Sequence, residues 1–341
     1  MRSAQLIAPL TFRLAETPID DPSPGEVQVR VRAVGICGSD LHAYSEGAVG
    51  STPNVYPMVL GHEPAGTIAK TGAGVSGLSP GDRGTLEPAL YCHHCEFCRR
   101  GQHNVCANIR FLSSPNDPGF FRELVNLPVS NFLPVPAGIS LDLATLVEPL
   151  AVALHSLALA SIGPGETVAV IGAGPIGLLT IAALRAANAG SIWAVEPLAH
   201  RRELAGMIGA NIALEPAEAV EAILRGTGRR GVDCAFDCAA GEDTTSRAIQ
   251  VVRNAGRVVL TGIHSTPLVA MDGSPMRRKE LTIYNVRRSN HESHAALSLL
   301  ETHTDWFAPL LTHSRDLDRI EDAFAIASQY RDGVGKMIVR P

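Results

Sequence analysis

Two styles of hydrophobic patterning divide the chain near residue 150. Before it, apolar and polar positions alternate with period two, most clearly in Val27-Gln-Val-Arg-Val-Arg-Ala-Val34, as in a half-buried strand. Proline and glycine punctuate this region at 22–25, 79–82, 115–119 and 134–138. With further strand-like runs at 65–71 and 83–86, the pattern predicts an irregular β-barrel over residues 1–150. Beyond it, short apolar strands alternate with helix-length segments. Strands are expected at 168–171 and near 192–196, 212–214, 232–237, 257–261 and 281–285. Six such strands with helices between them predict an α/β unit over 151–286, a doubly wound parallel sheet. Helical stretches near 292–301 and 316–330 and a last strand near 335–339 exceed what that sheet needs. Residues 287–341 are therefore expected to return to the first domain.

The first of these strands runs into Gly172-Ala-Gly-Pro-Ile-Gly177 and then an alanine- and leucine-rich helix. Strand, glycine turn and helix N-terminus form the context of a dinucleotide fingerprint. Gly172 permits the tight turn, Gly174 lets a pyrophosphate approach the backbone, and Gly177 lets the helix lie close to the sheet. The helix start at Pro175 and Ile176 adds a partial positive charge and free N–H groups for the phosphates. The next strand ends in Glu196, 19 residues after Gly177, where a ribose-binding carboxylate belongs. Pro197 and Leu198 follow it, so no basic side chain immediately offers to hold a 2′-phosphate. The expected cofactor is NAD, with Arg201 counted among its neighbours; Arg201 and Arg202 are the residues that could admit NADP.

Composition narrows the class. A chain of 341 residues with 45% hydrophobic residues can fill two cores. A net charge of −5 with no basic block argues against a nucleic-acid or anionic-membrane partner. The first ten residues carry one charge and no apolar core, so they make no secretory signal. The most apolar stretch, 143–159, contains Glu148, Pro149 and His155 and is not expected to span a membrane.

Four of the seven cysteines fall at 92, 95, 98 and 106. Without a secretory signal, that crowding predicts metal chemistry in a reducing, cytoplasmic compartment rather than disulfides. The C-x2-C-x2-C-x7-C spacing can close a thiolate tetrahedron around Zn2+ that leaves no position for water, a structural site. An iron–sulfur cluster also takes four cysteines, but the spacing and the residues that follow favour zinc. Gly35-Ile-Cys-Gly-Ser-Asp-Leu-His42 and Gly61-His-Glu-Pro64 offer a second set. Cys37 and His62, with a nearby carboxylate, could hold a zinc whose fourth position stays open.

In order along the chain, Cys37-Gly-Ser-Asp-Leu-His42, Gly61-His-Glu63, the cysteine loop, Val147-Glu-Pro-Leu150 and the glycine fingerprint resemble the zinc-dependent medium-chain alcohol dehydrogenases. The resemblance covers essentially the whole chain. It is strongest to the polyol, sorbitol dehydrogenase-like branch, through Ser39, Glu148-Pro149-Leu150 and the loop 111–121. It implies a GroES-like first domain and an active site in the cleft between domains. It also implies a catalytic zinc on Cys37, His62 and a glutamate, with Glu63 as the direct ligand and Glu148 acting through water or exchanging with it. Ser39 would hydrogen-bond the alcohol and His42 would pass its proton to solvent, while hydride goes to the nicotinamide. Asp40 would fix the turn, and His155 is read as a packing residue. Phe121 and Arg288 would contact the substrate. The implied reaction is NAD-dependent oxidation of a small secondary alcohol, a polyol or sugar-derived acid, to a ketone, by a homodimer or homotetramer. An amino alcohol such as threonine is the alternative substrate.

Overall fold

The period-two stretch becomes the strand Glu26–Gly35, whose valines at 27, 29, 31 and 34 are all buried. In the computed structural model, which describes residues 1–266 and 268–341, this strand is the centre of a seven-stranded sheet. The order is Phe132–Pro134, Arg83–Leu86, Glu63–Thr71, Glu26–Gly35, Lys336–Arg340 and Leu311–Asp316, with Leu124–Pro128 also pairing with Glu26–Gly35. Phe12, Tyr44, Phe121 and Phe324 pack ring against ring beside it, with centroids 4.9–5.6 Å apart. Phe324 lies on the C-terminal helix Ile320–Ser328, so the end of the chain completes the core of its beginning.

The second sheet is parallel throughout, in the order Ile212–Leu214, Ile192–Val195, Val168–Ile171, Val232–Asp237, Val252–Leu260 and Thr282–Asn285. Numbered along the chain, that order is 3-2-1-4-5-6, the doubly wound dinucleotide-binding topology. The strands at its centre are buried along their whole length, which is why they read as apolar runs rather than alternating ones.

The chain forms two units, Met1–Glu148 with Ser293–Thr304 and Leu311–Pro341, and Pro149–Glu292 with Asp305–Leu310. Three boundaries differ from the sequence expectation, the first being that the opening unit ends at Glu148 rather than 150. The second unit runs on to Glu292 rather than 286, and it reclaims 305–310 from the C-terminal return. Side chains explain the latter: the Arg185 guanidinium lies 3.9 Å over the Trp306 ring, and Phe307 and Leu310 are buried. The segment Leu141–Ala160 is long and apolar enough to cross a membrane, but most of it is buried inside the protein, where it serves as core.

Candidate active site and metal centres

The first sheet delivers the open metal set. Gly35 ends the central strand opposite Glu63 on one neighbouring strand and Ile338 on the other. Cys37 follows after Ile36 and stands at the N-cap of the helix Gly38–Glu46, while His62 immediately precedes the strand Glu63–Thr71. The Cys37 thiol, a His62 ring nitrogen and a Glu63 carboxylate oxygen all lie within 4.8 Å of one another. A thiol, an imidazole and a carboxylate at this separation suit a single zinc ion that keeps a position open.

Asp40, on the first turn of that helix, locks the arrangement. Its buried carboxylate accepts the Cys37 N–H at 3.0 Å, the Gly61 N–H at 3.1 Å and the Ser113 hydroxyl at 3.3 Å. It also lies 3.4 Å from His62 Nδ1, so it fixes the turn and the imidazole together. Burial would raise the Asp40 carboxyl, but His62 and the two N–H donors hold it below the ordinary range. Burial would lower the His62 imidazole, but Asp40 and Cys37 raise it well above its ordinary value. The pocket therefore favours positive charge, as a cation site requires. Ser39 Oγ stands 3.5 Å from His62 Nε2, and His42 Nδ1 is 2.7 Å from Glu46 Oε1 on the same helix.

Glu148 is close enough to feel this set but, among the described residues, the group of three does not include it. Burial pushes its carboxyl up to about 8; Glu63 and Glu87 add to the rise, and His62 and Lys336 oppose it. Lys336 is the residue that sequence reasoning missed. Its ammonium is ion-paired with Glu63, and both side chains are only 1% exposed. Nothing near Glu63 in the sequence signals it; only the position of Lys336–Arg340 on the other side of Glu26–Gly35 brings the two together.

The four-cysteine loop converges as its spacing predicts. Cys92, Cys95, Cys98 and Cys106 offer four sulfurs within 4.8 Å, with individual separations of 3.5, 3.9 and 4.0 Å. A zinc–sulfur bond of about 2.3 Å implies a tetrahedral edge of about 3.8 Å, so the sulfurs already stand where one ion would hold them. Backbone N–H groups of His94 and Cys95 help pull Cys92 down to about 5, towards the thiolate that zinc needs.

In the second unit the glycine turn has the expected form. Gly172 takes φ of 91°, a conformation other residues adopt only under strain. A Cβ on Gly177 would fall 1.9 Å from the Gly172 carbonyl oxygen, so the turn and helix could not close together without glycine. Gly174 caps the helix Pro175–Ala186, and a Cβ there would meet only Arg201 Nη1, at 3.6 Å, which leaves room for a phosphate. Glu196 is buried and accepts the Ala173 N–H at 2.8 Å and the Leu198 N–H at 3.1 Å, holding its carboxylate against the turn. Arg202 is committed elsewhere, to the carbonyls of Glu196 and Pro197 and to Glu215. These residues fit a dinucleotide.

Two sequence expectations change in detail. Phe121 does not face a pocket: it is fully buried, edge-on to Phe324 and beneath Gly61, where it supports the segment carrying His62. The ring beside His62 is Phe111, with centroids 5.4 Å apart. His155 is buried but not merely packed, since its Nδ1 lies 2.9 Å from Glu292 Oε1. Arg288 follows the last strand of the second unit, half-buried with φ of 56°.

With this geometry in hand, comparison with known proteins is decisive. Residues 23–137 match the alcohol dehydrogenase GroES-like domain, and residues 175–302 match the zinc-binding dehydrogenase model. The chain belongs to the zinc-binding dehydrogenase family. Sorbitol dehydrogenase of Bacillus subtilis (strain 168) is 32% identical over 345 residues, covering 100% of this chain and 97% of that protein. L-threonine 3-dehydrogenase of Pyrococcus horikoshii is 34% identical, covering 94% of this chain and 93% of that one. The solved structure of 2R,3R-butanediol dehydrogenase from Bacillus subtilis is 31% identical, with a TM-score of 0.88, and covers 100% of this chain and 99% of that chain. As a zinc-binding dehydrogenase the protein is a zinc- and nicotinamide-dependent oxidoreductase acting on a small-molecule alcohol.

Proposed function

We propose that the protein oxidises a secondary hydroxyl of a polyol or sugar-derived acid to a ketone and reduces NAD. The observation that carries the reading is the Cys37, His62 and Glu63 set, in which a carboxylate stands as third ligand with a second carboxylate, Glu148, nearby. Zinc on these residues would supply the Lewis acidity that makes an alcohol acidic near neutral pH. Ser39 hydrogen-bonds the substrate hydroxyl and takes its orientation from the helix that Cys37 caps. His42, half-exposed and paired with Glu46, passes the proton outward. Glu196, already fixed against the glycine turn, accepts the ribose hydroxyls and repels a 2′-phosphate, while Arg202 is not available to counter it. Phe111 walls the substrate side of His62. The resemblance supports a homodimer or homotetramer, and four thiols held for metal support a reducing, cytoplasmic compartment.

Threonine is the second reading, favoured by the identity to the Pyrococcus enzyme. One screen separates them: hydride transfer from polyols, aldonates and threonine, with NAD and NADP in parallel. Turnover of a polyol or aldonate with NAD, at least about ten-fold more efficient than with NADP, is the expected result. Preference for threonine would replace the substrate reading, and equal efficiency with both cofactors would show that Arg201 overrides Glu196.

A further inference from the structure

We propose that Asp237 is a positioning residue for the dinucleotide: its carboxylate holds in advance the segment 238–240, which floors the cofactor crevice. The inference rests on reading Gly172 to Gly177 as the dinucleotide turn. Asp237 ends the fourth strand of the parallel sheet, Val232–Asp237, in register with Ile171 on the first strand and Leu260 on the fifth. Strand order reverses between the first and fourth strands, and a dinucleotide lies in the crevice outside the carboxyl ends at that point. The chain leaving Asp237 is pressed between two glycines. A Cβ on Gly172 would lie 2.7 Å from Ala239 Cβ, and one on Gly262 would lie 2.8 Å from Ala240 Cβ. Ala239 therefore stands directly against the turn that receives the pyrophosphate.

Asp237 is 1% exposed, and every oxygen it carries is engaged. Oδ1 accepts the N–H of Ala239 at 3.2 Å and that of Ala240 at 3.0 Å. Oδ2 accepts the hydroxyls of Thr244 at 3.0 Å and Thr245 at 2.7 Å. Its carbonyl accepts the N–H groups of Thr261 and Gly262, which ties the exit of the fifth strand to the same point. One residue thus clasps the turn after the fourth strand, the start of the helix Thr244–Val251 and the turn after the fifth. The shape it holds is strained. Ala240 takes φ of 52°, which a residue with a Cβ keeps only where its surroundings impose it. All four donors to the carboxylate are neutral, so the site needs acceptor geometry from this side chain rather than charge. Without the carboxylate, a dinucleotide has to order this segment as it binds, which lowers affinity without touching the reacting atoms.

The test titrates NADH and ADP-ribose into the intact protein, NADH by its fluorescence and ADP-ribose by displacement of NADH. Both carry the pyrophosphate, and only NADH carries the nicotinamide. In Asp237→Ala both dissociation constants should rise about ten-fold, the scale of ordering a few residues on binding. With whichever alcohol is turned over, KM for the dinucleotide should rise while kcat at saturating dinucleotide does not fall. Asp237→Asn should bring both constants back to within about three-fold of wild type. Its Oδ1 still accepts from Ala239 and Ala240, and its amide donates to threonine hydroxyls that turn to accept. Thr244→Val combined with Thr245→Val should weaken both ligands in the same ratio, and this variant decides the matter if Asp237→Ala does not fold. The proposal is overturned by unchanged NADH affinity in Asp237→Ala or in the threonine variant, or by a loss for NADH that spares ADP-ribose. Asp237→Asn binding as weakly as Asp237→Ala, or a kcat that falls as far as affinity, overturns it as well. Wild-type protein that binds neither ligand would instead overturn the dinucleotide reading on which it rests.

Discussion

The two metal centres are built on opposite plans. The closed centre takes its four cysteines from 92, 95, 98 and 106, so one loop carries every ligand and chain spacing alone brings the sulfurs to 3.5–4.0 Å. The proposed open centre would take Cys37 from just past the end of one strand and His62 and Glu63 from the start of its sheet neighbour, and it would depend on groups that are not ligands at all. Asp40 fixes the ring of His62, and Lys336 arrives from the last strand to pair with Glu63. A structural site needs only its own loop, whereas a reactive one needs a field, and the fold must supply that.

The sharpest way to break the contrast is to remove one sulfur from each site. Cys37→Ser should empty the open centre and lower kcat/KM by more than about 100-fold, beyond the range of outer-group changes, while one zinc per chain remains. Elemental analysis alongside kinetics checks both halves. Cys95→Ser should act first on stability: the loop loses its staple, and the melting temperature should fall by on the order of 10 °C in a thermal scan. If Cys95→Ser instead lowered activity at full stability, the division of labour would be wrong.

A finer cut lies between the two glutamates. Glu63→Gln should cost the open centre most of its zinc affinity. Glu148→Gln should cost about 10–100-fold in affinity or activity, because it stands outside the ligand group. Zinc titration of both variants tests the order; a greater loss in Glu148→Gln would reverse the assignment. The smallest effect is expected from Asp40→Asn, which keeps the shape and one of the two N–H acceptors but removes the charge facing His62. A loss of about ten-fold in zinc affinity, with the four-cysteine zinc untouched, is the expected reading.

How much could be read from the sequence follows the same division. The cysteine loop, the glycine turn and Glu196 were legible because each is a local pattern whose geometry is set within a few residues. The six parallel strands were legible because burial on both faces writes them as apolar runs. Lys336 was not, since a lysine opening a C-terminal strand is ordinary until sheet order places it beside Glu63. Phe121 was misread for a related reason. The loop 111–121 holds several aromatic candidates, and only the backbone pairing of Phe120 and Phe121 with Gly61 and Leu60 turns Phe121 inward and leaves Phe111 at His62. The segment 305–310 returned to the second unit through Trp306 on Arg185, a contact with no sequence signature.

Metal counting under mild chelation tests the central claim most directly. Active protein should carry two zinc ions per chain. A weak chelator should remove one, abolish hydride transfer and leave both the fold and the second zinc in place, with activity returning when zinc is restored. Active protein with one zinc or none, or two ions that leave only together as the fold is lost, would contradict it.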